Sequence, residues 1–177
     1  MNMSPKHDYS LQAILNQELR IKDYWILGLA FFLLSLLLGL LVQLLFLPHC
    51  FPQLHAGNGL MINGDWLVYH DLATTMANDI RQHGWSAWEL RPHGHAPAGI
   101  AAALYAWFYP SPLVVLPLNA FLHTIATLVL LFIVNMFINT KKSVIAILPF
   151  LLFPSALTWT SQILKDGFFI TGNLLFL

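Results

Sequence analysis

The run WILGLAFFLLSLLLGLLVQLLFL, residues 25–47, passes through 23 consecutive positions without an Asp, Glu, Lys or Arg. An α-helix needs about 20 apolar residues, at 1.5 Å each, to cross the hydrocarbon core of a bilayer. This run is long enough, with Trp25 at one edge and Pro48 closing the other. A cleavable signal peptide is not expected: the apolar core is too long, Asp8, Glu18 and Asp23 precede it, and no small-residue cleavage site follows. Composition points the same way. Of 177 residues, 58% are hydrophobic and 9% charged, with no net formal charge, whereas a soluble domain carries about a quarter charged residues. Such a chain cannot clothe an ordinary water-facing surface. It also lacks the basic face of a nucleic-acid binder, so the lipid bilayer is the expected partner and nucleic acid is not. The single cysteine, Cys50, excludes an intrachain disulfide and a cysteine-based zinc site.

The same reading, carried along the chain, predicts an all-α integral membrane protein. Further uncharged stretches cover 113–138 and 143–164, separated by Lys141-Lys142, and a last run, 167–177, stops after 11 residues, as if inside a fourth span. The expected layout is three full transmembrane helices and a truncated fourth. Residues 1–24 form a cytoplasmic amphipathic arm, with Leu11, Ile14, Leu15 and Leu19 on one face. A span at 25–47 leads into a large outer loop over 48–112. A span at 113–138, an inner loop at 139–142, a span at 143–164 and an outer turn from 165 follow. The 14 apolar or small residues 96–109 are short for a span and are read as an in-plane helix, 97–109, with Ile100, Leu104, Trp107 and Phe108 on one face. Laid flat, that segment leaves Lys6, Arg20, Lys22, Lys141 and Lys142 inside against Arg81, Arg91 and Lys165 outside. That bias places the N-terminus in the cytoplasm, and the bacterial inner membrane is the expected location.

Polar chemistry is concentrated in the outer loop. It holds six of the eight histidines and the acids Asp65, Asp71, Asp79 and Glu89, and loops on a rigid scaffold are where sites tend to sit. Val68, Leu72, Met76 and Ile80 recur every four residues, predicting a helix over 66–83 with Asp65 at its N-cap and Gly84 past its end. Capping alone would account for Asp65, at about 1 kcal/mol. His93 and His95 in Arg91-Pro92-His93-Gly94-His95-Ala96-Pro97 would face the same way on an extended segment. They offer either two nitrogens to a divalent metal, with a carboxylate as third ligand, or hydrogen bonds to headgroups and loop carbonyls. The Arg91 fork suits a phosphate. The stretch after Pro154 is unusually polar for a helix exit and ends in Lys165-Asp166, where Asp166 either caps the next helix or serves a site. His123, with Asn119 one turn before it, is expected to hydrogen-bond between helices.

An outer-loop Asp followed by D-x3-Y-x3-A-x10-G (Asp65, Tyr69, Ala73, Gly84), then His93-Gly94-His95-Ala96-Pro97 opening a short Leu/Tyr/Trp helix, a long span, a basic pair, and Pro154 leading to Ser161 and Lys165-Asp166 form an ordered pattern. It resembles the N-terminal part of the GT-C membrane glycosyltransferases, in particular the dolichyl-phosphate-mannose protein mannosyltransferase-like (family 39-like) group, from about residue 24 to the end. The resemblance implies transfer of a sugar from a polyprenyl-phosphate donor to an acceptor hydroxyl at the outer face, with inversion. It matches Asp65 to the catalytic base or metal partner and Asp166 to a second acid. Arg91, Lys165 or a metal ion would then meet the leaving phosphate, with Tyr69 among the residues that bind the substrate or its phosphate. The alternative is a non-catalytic membrane component, such as a polysaccharide polymerase-like or transporter fragment, in which both acids are caps.

Overall fold

The computed structural model describes residues 21–153, 160–163 and 165–176, so most of the expected N-terminal arm lies outside the described residues. The chain enters α1 at Ile21–Leu41. Through Val42–Cys50 the helix continues with wider turns. Pro48 explains the change: it has no N–H for the carbonyl one turn back, and its ring crowds that turn. Phe31, Ser35, Gly39, Gln43 and Leu47 recur every four residues as the buried stripe of α1. Ile26, Leu29, Leu33 and Leu37 face outward, where a helix in water would place polar residues.

A small hairpin follows, β1 at His55–Gly57 and β2 at Leu60–Met61, antiparallel with Gly57 opposite Leu60. Asn58 (φ 53°) and Gly59 (φ 76°) form its turn. Two positive φ angles suit an Asn-Gly pair, whose twist matches that of the flanking strands. Next come α2 at Asp65–His83 and α3 at Ala96–Trp107, packed side by side. Their shared core is made of small residues, Ala73 and Ala77 against Ala98, Ala101 and Ala102, closed at its ends by Tyr69 and Tyr105. Arg81 locks the pair: its guanidinium donates to the carbonyl of Tyr105 and, at 3.5 Å, to that of Phe108, at the C-terminal end of α3. A cation there also complements the helix dipole.

After a turn at Pro112–Val115, α4 runs from Leu116 to Asn135 and packs along α1. Asn139 caps α5, accepting from the Lys142 amide at 3.1 Å. α5 covers Thr140–Leu152, so Lys141 and Lys142 lie in its first turn and not in a loop. The stretch read as one span over 143–164 is not a continuous helix. Phe153 is extended (ψ 142°), as a residue before proline prefers, and Pro154 follows it. α6, Asp166–Leu175, returns against α4. The architecture is all-α apart from the hairpin. Two helical stretches, Asp23–Cys50 and Pro112–Asn135, are long and apolar enough to cross a membrane, with 22% and 44% of their apolar windows buried. At 13 residues, α5 extends about 20 Å, short of a hydrocarbon core of about 30 Å.

Candidate functional site

Three amide side chains on separate segments assemble one end of the molecule. Gln43, near the end of α1, donates to the carbonyl of Ser161. Asn119, in the first turn of α4, donates to the carbonyls of Gln162 (2.7 Å) and Thr160 (3.3 Å). The Gln162 amide bridges to the hairpin, accepting from the Met61 N–H at 3.1 Å and donating to the Gly59 carbonyl at 3.2 Å. All three amides are buried, where an unmet polar group costs about 1–3 kcal/mol. These bonds tie the helical residues Thr160 and Ser161, and the two residues after them, to α1, α4 and the hairpin. Gly59 is required where the hairpin turn meets α1: a Cβ there would sit 2.7 Å from that of Gln43, on a backbone with φ 76°.

This lock brings together acids 101 residues apart in the sequence. Asp65 lies four residues beyond Met61, and Asp166 four beyond Gln162. Ile163 packs into the core that contains Tyr69. The Tyr69 hydroxyl, one turn along α2, points at Asp65 Oδ2 at 3.5 Å, the long limit of a hydrogen bond. Burial raises the Tyr69 pKa above its ordinary 10, as do the charge and hydrogen bond of Asp65 and, to a lesser degree, the charge of Asp166. The phenol therefore keeps its proton at neutral pH, as a donor directed at Asp65. Only 3% of Tyr69 is exposed, whereas Asp65 is open to solvent and Asp166 partly so.

The expected N-cap role of Asp65 is corrected. Gly64, with extended backbone, holds the cap position and Asp65 is the first helical residue. Its side chain points to Tyr69, and the C-cap falls on Gly84 (φ 86°). Asp166 is likewise the first residue of α6, with Lys165 at the cap position. A Trp66 N–H donated to the Met61 carbonyl at 2.5 Å fixes the entry to α2.

The expectation of an extended segment carrying His93 and His95 is also corrected. Pro92–Gly94 is a tight turn, with His93 at φ 49° and the His95 amide donating to Pro92 at 2.9 Å. Pro92 sets the first φ and Gly94 accepts the left-handed one. The two rings then part: His93 is exposed, while His95 tilts against Tyr69 with centroids 5.3 Å apart. No three His, Cys, Asp or Glu side chains converge as a metal site among the described residues, so the two-histidine grip with a carboxylate is not assembled there. Arg91 and Lys165 are both exposed. Lys165 lines an open hollow of about 550 Å³ with Asp166, Phe168 and Phe169. His123 stacks on Phe150 of α5 at 5.0 Å and hydrogen-bonds to the Leu151 backbone, as an interhelical role requires, while Asn119 shares with Gln43 the bonds to segment 160–163.

Sequence reasoning missed the two glutamines and the hairpin. Asn58-Gly59 between short apolar runs was a readable hairpin signal. Gln43 and Gln162 carried a weaker one, as uncharged amides in or beside apolar stretches, where a polar group needs a partner.

The fold thus defines an all-α chain with two helices apolar enough for a membrane and a polar site at one end. The chain matches no family model, no curated protein and no solved structure.

Proposed function

We propose that this protein serves as a membrane glycosyltransferase that moves a sugar from a polyprenyl-phosphate donor to an acceptor hydroxyl at the outer face. In this reading α1, α4 and the stretch 143–164 cross the bacterial inner membrane with the N-terminus inside. The observation that carries the proposal is the exposed Asp65 carboxylate facing the buried Tyr69 hydroxyl, at the end of the molecule where the buried amides tie the chain together and where the charge of Asp166 also reaches Tyr69. A general base must reach the attacking hydroxyl directly or through one water. Asp65 is exposed, is not used as a cap, and is backed by a buried phenol that orients its carboxylate. Arg91 and Lys165 supply positive charge for the leaving phosphate. His93 and His95 remain available to a metal only as separate ligands.

Membranes containing the protein, given a labelled polyprenyl-phosphate sugar and acceptor, test this reading. Transfer by wild type that disappears with Asp65→Asn at equal expression supports it. Transfer unaffected by both Asp65→Asn and Asp166→Asn sinks it, and leaves a non-catalytic membrane component as the better description.

A further inference from the structure

α3 has two apolar faces. One, built on Ala98, Ala101, Ala102 and Tyr105, packs on α2 and, through it, on the Asp65–Tyr69 end. The other, largely opposite, borders a hollow of about 440 Å³ walled by Trp85, Trp88, Leu90, Ala103, Trp107 and Leu118, among others. Trp85 and Trp107 meet edge to face at 5.9 Å. The only polar side-chain atoms in its walls are indole nitrogens, and that of Trp88 is already donated to the Gly99 carbonyl at 2.9 Å.

We infer that this hollow binds one acyl chain of a bilayer phospholipid. A peptide or sugar seated there would bury polar groups with almost nothing to receive them. A hydrocarbon chain has none to satisfy. The volume suits a single acyl chain, since a methylene takes about 30 Å³, the volume of a water molecule. The place suits it too. Leu118 belongs to the first turn of α4, one of the two helices apolar enough to span, and Phe121, one turn on, is exposed. The hollow is therefore continuous with the outward apolar face of that helix. Three tryptophans around its walls have the amphipathic character found where a bilayer meets water. α3 stands between the hollow and the acids, which distinguishes this seat from a donor site. The inference rests on membrane insertion and not on sugar transfer.

Phosphatidylcholine with dibrominated acyl chains, titrated into the detergent-solubilised protein, reads this out through tryptophan quenching. Quenching should saturate at about one lipid per chain. Trp107→Phe should reduce its amplitude, and Ala103→Leu, which fills the hollow, should abolish the saturating phase while leaving the circular dichroism unchanged. If Ala103→Leu does not fold, the Trp107→Phe amplitude alone decides. Quenching that is linear in lipid, or indifferent to Trp107→Phe, overturns the inference. So does displacement of the brominated lipid by equimolar polyprenyl phosphate, which would assign the hollow to a carrier lipid.

Discussion

Asp65 shows how a residue can be found in the sequence for an incomplete reason. Its place before an amphipathic period suggested a cap, but the cap is Gly64, and the carboxylate instead faces a phenol one turn along. A one-residue shift in a helix start is below what periodicity resolves, yet it changes what the side chain does. Asp65→Asn should therefore lower sugar transfer by roughly 10²–10⁴-fold, the usual worth of a general base. It should leave the thermal unfolding midpoint nearly unmoved, because no cap is lost. A drop in the midpoint with transfer intact would return Asp65 to a structural role. Tyr69→Phe keeps the buried ring and removes the hydroxyl near Asp65. Its expected signature is an altered pH profile of transfer at near-normal stability, and an unchanged profile would deny the phenol its positioning role.

At the level of elements, close approaches and amide bridges carry the specificity. A Cβ on Gly99 would run into the Leu90 carbonyl and lie 2.5 Å from that of Glu89, so the start of α3 lies directly on the loop before it. Gly99→Val should cost about 1–3 kcal/mol, the scale of overpacking. Thermal unfolding in detergent checks it, and a neutral result would mean that the loop can yield. Gln162→Leu strips partners from the Met61 N–H and the Gly59 carbonyl. The expected loss is about 2 kcal/mol or more, together with faster amide exchange over residues 59–61. Unchanged exchange there would show that the bridge does not hold the hairpin. The periodicity of α2 was legible because one face is apolar and the other is not. The end of α5 was not, because hydropathy continues past Phe153 while the backbone turns extended ahead of Pro154.

Across the whole molecule, two measurements probe the arrangement. The lone cysteine, Cys50, is exposed at the far end of α1. An impermeant maleimide should label it from the outer face of intact cells, and should label Asn139→Cys, in a Cys50→Ser background, only after permeabilisation. The reverse pattern would invert the proposed topology. The second concerns pH. His70 Nδ1 lies 2.8 Å from the Tyr105 hydroxyl between α2 and α3, and burial holds its pKa below the ordinary 6.5, partly opposed by Asp71. Below about pH 6.5 the unfolded chain takes up a proton that the folded chain resists, so stability is present above that value and falls as pH drops. The unfolding midpoint should decline on going from roughly pH 7 to pH 5, and His70→Gln should flatten that decline. An equal decline in both proteins would place the sensitivity elsewhere.

Composition and apolar run length by themselves determined the all-α class and the two helices suited to a bilayer, because burying or exposing such runs is a local, additive property of the residues; the same run length also suggested a continuous helix over 143–164, which ends instead at Leu152. The concentration of polar groups between those runs was equally plain. Tertiary structure alone decided which of these groups meet. Gln43, Asn119 and Gln162 are distant in the sequence, and each finds its partner only after α1, α4 and the hairpin have packed. The turn at Pro92–Gly94 separates His93 from His95 although they are two residues apart. Distances along the chain do not encode such contacts, because hydrogen bonds between segments depend on how helix ends and turns are aimed in space.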